Sequence, residues 1–139
     1  MTTTAPVTSG TSSRPTARRA LTVAAAVLAP LFLWALTVPL AGVELTALPG
    51  GEPRAVGPVA VAVAGLVFGL AAWALLAVLE RTVRRPGRVW TVVAFSVLVL
   101  SLAGPVTSGA EPAAVLVLAG MHVLVGAVLI LGLGRSSRS

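Results

Sequence analysis

The sequence predicts an all-α membrane protein with four transmembrane helices in a compact bundle, and three observations predict it. Of 139 residues, 57% are apolar and 10% charged, a balance far outside that of soluble domains. Four apolar runs divide the chain, each close to the roughly 20 helical residues that cross a bilayer core of about 30 Å. Arginines collect between those runs. Arg14, Arg18 and Arg19 precede the first, Arg81, Arg84, Arg85 and Arg88 separate the second from the third, and Arg135 and Arg138 follow the fourth. The positive-inside bias then places both termini and the central loop in the cytoplasm, with two loops outside.

Residues 1–19 are rich in Thr, Ser, Pro and Ala, lack apolar periodicity and read as a disordered cytoplasmic tail. The first span is expected over residues 20–40. A secretory signal peptide is the rival reading of this segment, but an h-region is only about 7 to 15 residues long and the small-residue site near Ala41 is weak.

A Pro- and Gly-rich outer loop follows, and the second span is expected over residues 56–79. Beyond it, Glu80 and Arg84 are four apart and are expected to pair on a continuing helical turn that Pro86 and Gly87 end. The third span is expected over residues 89–106. Trp90 lies at its inner end, at the depth where indoles favour the headgroup boundary, and Gly104 and Pro105 close it. The fourth is expected over residues 112–133, with Pro112 in a first-turn position that needs no amide donor. Residues 135–139 form a second cytoplasmic tail. This arrangement puts a net charge of +8 inside and −2 outside. Spanning strands are a poor alternative, because these runs are apolar on every face and strands alternate.

The halves of the chain are alike. Arg19-Ala20-Leu21-Thr22-Val23 matches Arg88-Val89-Trp90-Thr91-Val92, Leu40-Ala41-Gly42 matches Leu102-Ala103-Gly104, and Glu52-Pro53-Arg54-Ala55-Val56 matches Glu111-Pro112-Ala113-Ala114-Val115. A duplication would give two similar helical hairpins related by an axis along the membrane normal; the rival reading is chance matching in a chain of low compositional complexity, since the spacings differ by several residues.

Composition also bounds the chemistry. The net charge of +6 does not point to nucleic acid, since the arginines flank apolar spans and no basic stripe is interleaved with aromatics. They read instead as topogenic groups that touch lipid phosphates. Cysteine is absent, which removes disulfides and thiolate chemistry. Lysine, asparagine, glutamine, aspartate and tyrosine are missing as well, a pattern that fits a GC-rich bacterial genome and a plasma-membrane location.

His122 is the ionisable side chain placed deep in a span, and such groups are expensive in lipid. Its sharp reading is a proton relay or ligand contact, and its plain one a helix–helix hydrogen bond. By depth its partners would be Ser96 on the third span, or the Ala26 carbonyl that Pro30 leaves without a helical bond. Gly65-Leu66-Val67-Phe68-Gly69 is a GxxxG that lets backbones approach closely. Ala119, His122 and Gly126 share one face of the fourth span, and Thr91, Ala94, Leu98, Ser101 and Pro105 share one face of the third, so both faces read as interhelical seams. Glu44, Glu52 and Glu111 sit in outer loops and read as solvated. No phosphate cradle, nucleophile elbow or HExxH occurs, and neither a catalytic residue nor a metal or cofactor site is expected.

Trp73-Ala74-Leu75-Leu76-Ala77-Val78-Leu79-Glu80-Arg81, Arg88-Val89-Trp90-Thr91-Val92, Ser101-Leu102-Ala103-Gly104-Pro105 and Met121-His122 together resemble a family of small four-span bacterial membrane proteins known only as a domain of unknown function. The resemblance runs from about Arg18 to Arg135. It implies the four-span topology and supplies no catalytic or binding residues. The expected function is therefore that of a non-enzymatic bundle that packs with itself or with a membrane partner through its small-residue faces. The alternative is a small transporter or channel subunit with His122 at the midplane. Four-span drug exporters have a similar length but use a membrane-embedded glutamate in the first span, where this chain has no acidic residue.

Overall fold

The computed structural model describes residue 2 and residues 13–48 and 51–137. Four long helices form: α1 (Ser13–Ala35), α2 (Pro58–Thr82), α3 (Pro86–Thr107) and α4 (Pro112–Ser136). Each is long and apolar enough to cross a membrane. The packed all-helical architecture is the one expected. Its helices run alternately up and down, so the start of α1, the end of α2, the start of α3 and the end of α4 share one end of the bundle, which carries the described arginines except Arg54.

Several boundaries differ from the sequence expectation. Helix α1 begins at Ser13, so Arg14, Arg18 and Arg19 ride on its first turns rather than in a tail. Arginine is a good helix former, and Pro15 falls in the first turn, where a missing N–H removes no helical bond. Most of the expected tail before Ser13 lies outside the described residues. At its far end α1 widens into a π turn at Leu36–Leu40 that contains Pro39, a proline that denies the Ala35 carbonyl its usual donor.

Helix α2 stops at Thr82, and Val83 is already extended. Pro86 then opens α3 rather than ending α2, because proline excludes the α conformation at Arg85 before it and suits the first helical turn after it. Pro105 does not close α3, which continues to Thr107.

The loop between α1 and α2, expected on the outer side, carries a short antiparallel ribbon, β1 (Thr46–Ala47) paired with β2 (Arg54–Ala55) in the register Thr46↔Ala55 and Ala47↔Arg54. The Trp34 indole N–H donates to the Val56 carbonyl at 2.8 Å, and the Val56 N–H to the Leu45 carbonyl at 2.8 Å. These bonds draw Leu45 into the bundle end, where it is buried with Val61 and Met121.

Helices α1 and α4 form the central pair. Helix α2 lies mainly against α1, α3 lies mainly against α4, and α2 meets α3 far less. Two apolar clusters result. The one nearer the arginine end joins all four helices through Ala26, Leu76, Trp90, Leu129 and Leu133. The far one joins α1, the outer loop, α2 and α4 but includes no residue of α3. The remaining surface is largely hydrocarbon, with Phe32, Val59, Phe68, Phe95, Leu100 and Leu116 all exposed, as lipid contact allows.

Candidate functional site

His122 follows Leu118 by one helical turn, and Leu118, His122, Val125 and Leu129 form a stripe along α4. Leu118 belongs to the far cluster, and Leu129 with Val125 to the near one. His122 therefore stands between the two cores, half-buried. Its Nδ1 lies 2.7 Å from the Leu118 carbonyl oxygen of its own helix. A carbonyl can only accept, so Nδ1 carries the proton in that bond and Nε2 is directed elsewhere.

Neither partner expected from depth is used. Ser96 is exposed on α3 beside Phe95 and Val97, because α3 turns the Leu98 side of its circumference toward α4. Pro30 is buried on α1, and the Ala26 carbonyl that it releases faces Gly65 of α2: a methyl group built on Gly65 would sit 2.8 Å from that oxygen and 3.0 Å from the Val27 Cα. One turn along, a methyl on Gly69 would lie 3.0 Å from a Val23 methyl. The GxxxG face thus meets α1 within the chain. Helix–helix contact here is close enough for Cα–H groups to approach the carbonyl.

Gly120, Gly126 and Gly132 of α4 are also turned inward. Gly126 meets the Leu98 side chain, with 2.7 Å from a built Cβ to its nearest methyl, so the α3 and α4 seams face each other there, while Thr91 at the start of the α3 seam is exposed. Gly120 faces Leu33 of α1, and Gly132 lies against Thr22 of α1. Ala119 is half-buried beside them. Neither Gly120 nor Gly132 was distinguishable in sequence from the other α4 glycines.

At the arginine end, Arg19 donates to the Glu80 carboxylate through Nη2 and to the Ser136 hydroxyl through Nε at 3.2 Å. The side chains of Arg19 and Glu80 are 14% and 29% exposed. One guanidinium therefore ties together α1, α2 and α4. The Glu80–Arg84 pair expected from spacing does not form, since Arg84 follows the end of α2 and is off the helix. Ser136 passes its own proton to the Leu133 carbonyl, 2.8 Å away.

Trp90 is the largest departure. It lies near the arginine end of α3 but is turned inward rather than toward lipid, 2% exposed in the near cluster, and among the described residues its Nε1 has no hydrogen-bond partner. Depth along a helix is readable from sequence, but the direction around it is not when every face is apolar.

Among the described residues no three His, Asp or Glu side chains come together. The outer carboxylates Glu44, Glu52 and Glu111 are all exposed. The arrangement offers structural polar contacts, a single imidazole with one ring nitrogen committed, and a cationic end. No curated protein and no solved structure matches the chain. A family model of unknown function (DUF6069) matches residues 10–139. With its four apolar helices, two internal cores and arginine-bearing end, the chain is a multi-pass membrane protein that belongs to this family of unknown function.

Proposed function

We propose that the protein is a non-enzymatic component of a bacterial plasma membrane, a helical bundle that acts by packing with itself or with a membrane partner, with both termini in the cytoplasm. The observation that carries this reading is the division of the molecule into one arginine-bearing end and a shaft of exposed hydrocarbon, with Arg19, Glu80 and Ser136 fastening the helices to one another. Because the small-residue faces meet inside the chain, association would use the larger apolar surfaces of α2 and α3. Chemistry such as hydrolysis or group transfer needs paired acids, bases or nucleophiles, and the bundle core supplies one imidazole.

Cross-linking and light scattering of the protein in mild detergent test this directly. A defined oligomer, or one membrane protein recovered in fixed ratio, supports the reading. A monodisperse monomer with no stoichiometric companion in native membranes overturns it.

A second reading, a small transporter or channel subunit, is favoured by one observation: His122 is half-buried between the two cores with its Nε2 outside the Leu118 bond. Reconstituted vesicles separate the two. A pH-driven flux that His122→Ala abolishes would establish transport, whereas the association reading expects no such flux.

A further inference from the structure

The start of α3 is chemically ordered along its axis. Arg85 is its N-cap residue, Arg88 lies three positions on, and both line one depression. An open depression at this point is lined by Arg85, Gly87, Arg88, Thr91 and Val92 of α3 and by Ser137 just past α4. It adjoins a second depression lined by Arg88, Val89, Val92 and Val93. Going from the bundle end toward the middle of the membrane, this strip presents two cations and Ser137 and then Val89, Val92 and Val93, with the Thr91 hydroxyl level with the valines.

Cations outermost and hydrocarbon beyond is the order of groups in a phospholipid, phosphate and then acyl chain. The level is right as well, because Pro86 opens a span and its first turn lies where headgroups are. The cations are available, since neither Arg85 nor Arg88 takes part in an ion pair or a side-chain hydrogen bond among the described residues, and no carboxylate lines either depression. The nearby Glu80 is occupied by Arg19. The opposite side of this part of α3 carries Trp90 and Ala94, which pack inward, so the strip faces lipid by construction.

We propose that this strip is a binding site for one anionic phospholipid, its phosphate held by Arg85 and Arg88 and one acyl chain lying along Val89, Val92 and Val93. Two guanidiniums favour a headgroup of net negative charge over one whose phosphate is balanced by an ammonium group, which they would repel. The proposal rests on α3 crossing a bilayer, and depends neither on which side faces the cytoplasm nor on self-association.

The full chain purified in mild detergent provides the test, with native mass spectrometry and thermal unfolding as readouts against added phosphatidylglycerol, phosphatidylcholine or soluble glycerol phosphate. Retention of one phosphatidylglycerol, with little phosphatidylcholine, is expected. An Arg85→Gln/Arg88→Gln variant should bind it roughly thirtyfold more weakly, at about fivefold for each guanidinium. The charge-matched Arg14→Gln/Arg135→Gln variant should bind as the parent does. Equal retention of phosphatidylcholine by the parent overturns the proposal without any variant. So does an equal loss in both charge-matched variants, which would mean diffuse attraction alone, and so does displacement of the lipid by glycerol phosphate, which would mean a site for free phosphate.

Discussion

Gly65 of α2 stands against the carbonyl of Ala26 on α1, so close that a methyl group on Gly65 would lie 2.8 Å from the oxygen. Pro30 withholds the N–H that this carbonyl would otherwise accept. The break in one helix and the missing side chain in the other therefore occupy the same place. Because both neighbours of the built methyl are backbone, no rotamer change can relieve it.

Gly65→Ala is accordingly expected to destabilise the bundle by about 1–3 kcal/mol, the range for overpacking a close contact. Gly104→Ala supplies the comparison, since a methyl there meets nothing within 4 Å, and should change stability little. Unfolding of both variants in mild detergent, followed by circular dichroism, checks the difference.

Arg19 and Glu80 are predicted to couple. A double-mutant cycle with Arg19→Gln and Glu80→Gln should give an interaction of about 1 kcal/mol, weakened by salt because both groups keep some exposure. Glu80 and Arg84, four apart in sequence, should show no coupling in the same measurement.

Trp34→Phe removes the indole donor to the Val56 carbonyl while keeping most of the ring. The outer ribbon should loosen at a cost of about 1 kcal/mol. Hydrogen exchange of the Val56 amide, which donates to the Leu45 carbonyl, should quicken, while exchange near Leu76 and Leu129 should not.

His122→Ala is expected to lower stability by about 1 kcal/mol through lost packing between the two cores, since its ring bond runs to its own helix. His122→Leu, which refills most of the volume, should recover the greater part. A loss that His122→Leu leaves unrepaired would point instead to the imidazole's polar contact.

The spans were legible because hydrocarbon must be buried or given to lipid, and no soluble fold could hide so much of it. The ends were less so. Ser13 to Arg19 carries no apolar pattern, yet its arginines continue a helix that the span has already nucleated. Facing was not legible at all. Trp90 and Phe95 look equally lipid-ready in sequence, but one is buried and the other exposed, and Gly65 and Gly104 differ only in what the fold brings beside them. Helices apolar on every side carry no stripe by which to orient them. Glu80 shows the complementary lesson: the cation four positions on was bypassed for one on another helix, because α2 ends before Arg84 can reach back.

The triple fastening at Arg19 also sets a chronology for biogenesis. Its two partners lie 61 and 117 residues downstream, so a nascent first hairpin can satisfy the guanidinium electrostatically long before the serine hydroxyl is synthesised. The early pair can close while the ribosome is still at work, and α4 then slots into an opening that α1 and α2 have already shaped.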